Sequence, residues 1–308
     1  MTVHKLAIVG VGKIARDQHI PAISENPAFD LAATASRNAQ VGGVEGFSDL
    51  ETLLAARPEI PCISLCTPPQ FRYADARRAI LAGRHVMLEK PPGATLSEVH
   101  DLVNLAKTHG VALYATWHSR HAAAVIAGRD WLLGKDITKV EIIWKEDVRR
   151  WHPGQDWIWQ AGGLGVFDPG INALSVLSEI YPRALHLAKA DLSFPANRDT
   201  PIAADLTFAD PGEAVVTAAF DWRQEGPQSW DIHVTTDQGV ALLSDGGATL
   251  SVDGSEISSG PDREYSHLYA RFAQLLATAE IDVDLAPMTH VADAFTLGRR
   301  VVVDPFDW

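Results

Sequence analysis

The chain has 308 residues, 46% of them hydrophobic and 21% charged, and 26 basic against 39 acidic side chains give a formal charge of -13. That length exceeds one comfortable hydrophobic core and predicts two domains of ordinary globular composition. The acidic balance opposes affinity for phosphate backbones and anionic membranes, which argues against a nucleic-acid or membrane partner.

From Met1 the chain passes almost directly into the apolar run Leu6-Ala7-Ile8-Val9. No cleavable signal and no bilayer-length apolar stretch is seen, so a cytoplasmic location is expected. The run Lys5 to Val9 reads as a strand, and Gly10-Val11-Gly12-Lys13-Ile14-Ala15 follows at once. This is the G-x-G-x-x-G/A arrangement. Its first Gly makes the tight turn, its second lets a pyrophosphate approach the backbone, and a small third residue lets helix pack on strand. Gly-rich turns are common, but this position after an N-terminal strand favours a dinucleotide site that includes Gly10, Gly12, Lys13 and Ile14.

A second strand, Phe29 to Ser36, ends where NAD-preferring folds place an Asp or Glu on the ribose, and here the residues are Ser36-Arg37-Asn38. A hydroxyl and a guanidinium suit a 2'-phosphate, so NADP is preferred and NAD tolerated. The plainer alternative is a solvated loop arginine. Next comes the apolar strand Ile60 to Cys66, then Thr67-Pro68-Pro69, a helix over Tyr73 to Ala82 and the stop signal Gly83. Four residues of strand separate Cys62 from Cys66 by roughly 13 Å, beyond disulfide reach, so two buried thiols are expected.

The strand His85 to Leu88 runs into Glu89-Lys90-Pro91-Pro92. A Lys between a buried strand and two prolines has little backbone freedom, which suits an aimed ammonium, although an ordinary Pro-rich turn would look the same. Strands alternating with helices predict a doubly wound parallel sheet, with ligands at the carboxyl ends of its strands. Gly10, Ser36, Thr67 and Lys90 all fall at such ends.

After the helix Ser97 to His109 and the strand Val111 to Thr116, the domain boundary is placed at Arg120. The expectation is a Rossmann domain over 1–120 and a substrate-binding α+β domain over 121–308. The helix Ala122 to Leu133 opens the latter, followed by strands from Lys139 to Val148, Leu185 to Phe194, Ile202 to Phe208, Ala214 to Trp222, Ser229 to Thr236, Val240 to Ser244 and Thr249 to Val252. Short turns between most of these strands predict a mainly antiparallel sheet, with helices on one face and room for a second copy, a homo-oligomer, on the other.

Residues 144–172 gather Trp144, Trp151, Trp157 and Trp159 with Glu146, His152, Asp168 and Asn172. Aromatic faces interleaved with carboxylates, amides and His suit a carbohydrate pocket, whereas each Trp taken singly reads as core. Asp168-Pro169 also resembles a helix N-cap before Gly170 to Ile180, yet Asp168 and Asn172 stand four apart and share a helix face. His118 and His152 read as ligand contacts or as hydrogen-bonded structural histidines. No metal-ligand spacing occurs among the His and Cys residues, so no metal is expected.

Gly10 to Ala15, Thr67-Pro68 and Ala82-Gly-Arg-His-Val-Met-Leu-Glu-Lys-Pro91 together resemble the Gfo/Idh/MocA family of two-domain NAD(P)-dependent sugar oxidoreductases. The resemblance implies that Thr67 and Pro68 lie along the cofactor, and that Glu89 and Lys90 lie near the nicotinamide and substrate. Arg72 stands where many members carry a His, so no role passes to it. The family's D-x-G-x-H pattern reads Asp168-Pro-Gly-Ile-Asn172 here, and an Asn is no general base. The proton acceptor is then Asp168, Lys90 or the two as a coupled pair, with Asn172 orienting the hydroxyl.

Residues 116–120, 144–154, 260–265 and 291–295 are similar to the bacterial L-arabinose and D-galactose 1-dehydrogenases within that family. This implies oxidation of an aldopyranose (D-galactose, L-arabinose or D-fucose) at C1 to its aldonolactone, with Glu146, Trp151, His152, Trp159 and His118 around the sugar. An inositol or keto-sugar dehydrogenase and a non-catalytic NADP-sensing regulator are the alternatives.

Overall fold

The computed structural model describes residues 3–307. The chain divides into two units, one running through His118 and regaining Glu264–Asp284, the other made of Ser119–Arg263 and the chain from Leu285 onward. The sequence reading placed all of 121–308 in the second domain, so the return of Glu264–Asp284 is a difference. Its cause is visible in the helix Glu264–Thr278, whose Tyr265, Leu268, Tyr269, Phe272, Leu275 and Leu276 form one buried apolar stripe.

The first unit is built on a parallel sheet of β1 (His4–Val9), β2 (Phe29–Ala35), β3 (Glu45–Phe47), β4 (Cys62–Leu65), β5 (His85–Leu88) and β6 (Leu113–Ala115), with Ile281–Asp282 beside β6. Its order runs Ile281–Asp282, β6, β5, β4, β1, β2, β3. This is the doubly wound order of dinucleotide folds, and its direction reverses between β1 and β4, the position at which such folds bind ligands at the carboxyl ends of their strands. Strand residues alternate between two cores. Ala7, Val9, Ile63, Leu65, Val86 and Leu88 meet Leu50, Leu53, Ile80 and Leu102 on one face. Leu6, Ile8, Cys62 and Met87 meet Ile23, Tyr269 and Phe272 on the other. Burying each large aliphatic contributes about 1.5–3 kcal/mol, which explains strands that read as continuous apolar runs.

The second unit holds a nine-stranded mixed sheet. Its strands β7 (Ile137–Lys145), β8 (His186–Pro195), β9 (Ala203–Ala209), β10 (Val215–Asp221), β11 (Ser229–Thr236), β12 (Gly239–Ser244), β13 (Thr249–Val252) and β14 (Ser255–Ser259) are joined by Arg299–Val303. The order is β14, β13, β12, β11, β7, β10, β9, β8, Arg299–Val303. Pairing is antiparallel except between β7 and β10 and between β8 and Arg299–Val303. The doubly wound parallel sheet of the first unit and the mainly antiparallel sheet of the second are as the sequence predicted. The polar edge strand β14 and the last strand carry too little alternation to be read in advance.

Two local expectations change. The helix read as Gly170 to Ile180 begins at Phe167, so Asp168 lies inside its first turn and is not its cap. Cys62 is buried in β4, but Cys66 falls just past the strand end and is half-buried; both are free thiols. Among the described residues no helix is long and apolar enough to cross a membrane.

Candidate active site

In the first unit, β1 gives way to Gly10 at a φ of +92°, where an added Cβ would lie 2.8 Å from the Thr67 amide nitrogen. Only glycine permits this close approach of the β1 and β4 ends. At Gly12 nothing lies within 4 Å of the same built position, which leaves the backbone open to a bulky anion. The following helix starts with a π-turn, Ala15–His19, before Ile20–Glu25. Pro21 has no N–H to offer the Asp17 carbonyl, and the turn widens so that the Ile20 N–H reaches the Ala15 carbonyl. His19 is thereby carried into the interior.

Lys13 pairs with Asp17 at the surface, and Ile14 is partly exposed beside it. Ser36 follows β2 and donates its N–H to the Phe47 carbonyl at 2.9 Å. Arg37 is exposed, and its guanidinium has no partner among the described residues. Thr67 Oγ1 is buried without a hydrogen bond among the described residues. A buried hydroxyl of this kind awaits a polar partner, and a dinucleotide laid across the Gly10 turn and Pro68 would supply one.

Lys90 follows β5 through a turn whose Lys90–Pro91 peptide is cis. Beneath it the Glu89 side chain is almost wholly buried. Its Oε1 accepts from the Tyr265 hydroxyl at 2.6 Å and lies 3.1 Å from His19 Nε2, while Oε2 accepts the Lys90 backbone N–H at 2.8 Å. Burial alone would raise the Glu89 pKa, but the hydrogen bond and charge of His19, helped by Tyr265, pull it down to about 2. His19 moves the opposite way. Burial lowers its pKa, and the surrounding Cys66, Tyr269 and Glu89 outweigh that and raise it well above 6.5. Arg72, also buried, donates to the carbonyls of Thr67, Glu89 and Pro91. His118 pairs with Glu264 and stacks on Tyr265 with ring centroids 5.5 Å apart.

The second unit has its own cluster. Glu146 follows β7 and is buried, its Oε1 accepting from Trp222 Nε1 at 3.2 Å and its Oε2 from Trp230 Nε1 at 3.0 Å. His152 Nε2 lies 3.9 Å from Glu146 Oε1 and 3.5 Å from Asp168 Oδ2. Asp168 is set by a turn at Gly165, whose φ of +55° and contact with Thr200 and Pro201 exclude a side chain. Asn172 lies four residues further along the same helix and is half-buried. Trp151 is 36% exposed and packs edge-on against Trp230 at 5.3 Å, so it offers an aromatic face. Trp159 is buried against Trp222 and Phe306.

Residues 4–116 match the family described as "Oxidoreductase family, NAD-binding Rossmann fold" (GFO_IDH_MocA). Over 302 residues, 98% of each chain, the protein is 43% identical to galactose 1-dehydrogenase of Pseudomonas fluorescens. The chain belongs to the Gfo/Idh/MocA oxidoreductase family. Its structure is similar to the crystal structure of D-galactose-1-dehydrogenase from Rhizobium etli, with a TM-score of 0.96 and 56% identity over 100% of this chain and 99% of that one. A 3-ketoreductase from Actinomadura kijaniata, KijD10 in complex with NADP and TDP-benzene, shares the fold at a TM-score of 0.85 and 18% identity, covering 98% of this chain and 100% of that one.

As an oxidoreductase with an NAD-binding Rossmann unit, this family member takes a nicotinamide cofactor. Within each unit the structure brings the sequence-predicted residues together: Gly10 with Thr67, Glu89 with Lys90, and Glu146 with His152 and Asp168. Sequence reasoning missed Arg72, His19, Tyr265 and Tyr269 around the Lys90 turn, and Trp222 and Trp230 around Glu146. The 3.6-residue apolar period from Tyr265 onward was the available signal for the two tyrosines. Among the described residues no group of three or more His, Cys, Asp or Glu is disposed to hold a metal ion.

Proposed function

We propose that the protein is an NAD(P)-dependent aldose 1-dehydrogenase that oxidises C1 of a galacto-configured aldopyranose to the aldonolactone. The observation that carries this reading is the second-unit cluster, two buried carboxylates around His152 beside the Trp151 and Trp230 rings, in a chain so similar to galactose 1-dehydrogenase along its whole length. D-Galactose, L-arabinose and D-fucose share their configuration at C2 to C4, so one pocket accepts all three.

Asp168 takes the proton of the C1 hydroxyl, and His152, 3.5 Å away, receives it onward or holds the carboxylate in place. Glu146 has both oxygens anchored by indole N–H groups, which fix the direction in which the carboxylate meets the sugar hydroxyls. Asn172, one turn after Asp168, orients a hydroxyl through its amide. Lys90 supplies positive charge for the alkoxide that develops as the proton leaves, held by its short turn. Bound oxidised NAD(P) supplies the hydride acceptor. Gly10, Gly12, Thr67 and Pro68 would hold it, and Ser36 and Arg37 would take the 2'-phosphate and so prefer NADP.

Arg37→Ala tests the cofactor assignment. A lost charge-assisted phosphate contact of about 1.5–3 kcal/mol corresponds to roughly ten- to a hundredfold in kcat/KM for NADP, with NAD unchanged. An equal effect on both cofactors would show that the 2'-phosphate assignment is wrong.

A further inference from the structure

A carboxylate at the end of a central parallel strand is an unfavourable place for a charge, because desolvation costs several kcal/mol unless hydrogen bonds offset it. At Glu89 they are used with direction. Oε2 accepts the N–H of Lys90 itself at 2.8 Å, which fixes the peptide plane leading into Lys90. Oε1 is held from the other side by Tyr265 at 2.6 Å and His19 at 3.1 Å. His19 is fixed in turn, since its Nδ1 meets the Tyr269 hydroxyl at 2.8 Å and Ser64 Oγ at 3.4 Å. The rings of Tyr265 and Tyr269 stand edge-on to it at 4.9 and 5.8 Å. On the far side of the turn, Arg72 ties the Glu89 and Pro91 carbonyls to Thr67.

We propose that Glu89, His19, Tyr265 and Tyr269 form a buried positioning unit for Lys90, completed by the helix Glu264–Thr278 that returns to the first unit. Its members do not touch substrate; they act through the backbone of Lys90. The π-turn Ala15–His19 and the late helix each deliver residues to one carboxylate whose outer oxygen is spent on the Lys90 N–H. An apolar side chain at 89 would fill the same volume and leave that N–H without a partner. The depressed pKa of Glu89 and raised pKa of His19 agree with an ionised pair. The inference rests on the reading of Lys90 as catalytic.

The test uses the full-length protein with D-galactose and NADP, comparing Tyr265→Phe, Glu89→Gln and Lys90→Ala. Tyr265→Phe removes one donor and keeps the ring, so its fold is retained, and NADP binding and the thermal midpoint check this. Expected is a loss in kcat of about tenfold for Tyr265→Phe and about a hundredfold for Glu89→Gln, with sugar KM and NADP Kd within about threefold. A merely structural role would lower the thermal midpoint and leave kcat in the folded variants unchanged. If Lys90→Ala abolishes turnover while folded Tyr265→Phe and Glu89→Gln keep wild-type kcat, the positioning unit is overturned and the catalytic reading of Lys90 stands. If Glu89→Gln fails to fold, Tyr265→Phe alone decides. Wild-type turnover in Lys90→Ala overturns both.

Discussion

His152 places its Nε2 3.5 Å from Oδ2 of Asp168, joining a loop imidazole to a carboxylate in the first turn of the helix Phe167–Ile180. On the proposed mechanism this contact would give the second unit a base with a proton partner although position 172 is Asn. The isosteric change Asp168→Asn is expected to lower kcat by about 10²–10⁴-fold with sugar KM nearly unchanged, as for a positioned base. Steady-state kinetics check it, and turnover within a few fold of wild type would remove Asp168 from proton transfer.

Glu146 is held by two indole N–H groups. Trp230→Phe keeps an aromatic face beside Trp151 and removes the donor on Oε2. Hydrogen bonds to a charged group contribute about 1.5–3 kcal/mol, so sugar KM is expected to rise about tenfold while NADP affinity stays constant. Isothermal titration with cofactor and kinetics with sugar separate the two.

Gly10→Ala adds a Cβ at 2.8 Å from the Thr67 nitrogen, at a φ of +92° that an alanine resists. Backbone contact leaves no side chain to give way, so the β1 and β4 ends must separate. The expected result is a loss of cofactor affinity of at least tenfold, on the order of 1–2 kcal/mol of backbone strain, together with a lower thermal midpoint. Cofactor fluorescence titration measures the first and calorimetry the second.

The Glu89 and His19 pair makes stability depend on pH in both directions. Glu89 is lowered from 4.5 to about 2, so its contribution is complete above pH 4.5 and fades as the pH falls toward 2. His19 is raised well above 6.5, so its contribution is complete below pH 6.5 and is lost as the pH rises through its elevated value. The pair therefore stabilises most between these ordinary values. His19→Gln is expected to narrow its melting-temperature gap to wild type as the pH rises above 6.5. A gap that stays constant into the alkaline range would mean His19 is not charged in the folded protein.

What the sequence made legible follows from how local each signal is. Gly10, Thr67 and Lys90 could be placed at strand ends because parallel strands are written as short apolar runs with a Gly or Pro stop behind them. Tyr265 could not, since its partner Glu89 lies 176 positions away and no local pattern links them. Arg72 carries no local signal, and its contacts appear only once the carbonyls of Thr67, Glu89 and Pro91 converge on it. At Asp168 two local signals competed. The Asp-Pro pair resembled a cap, but the left-handed turn at Gly165 starts the helix earlier and leaves Asp168 buried within it.

Oxidation of galacto-configured aldoses at C1 is read out by steady-state turnover. D-Galactose, L-arabinose, D-fucose, D-glucose and myo-inositol are each supplied with NADP or NAD, following reduced nicotinamide and lactone formation. The highest kcat/KM is expected for the first three sugars with NADP. Preferred turnover of myo-inositol, or no cofactor reduction with any aldose, would contradict it.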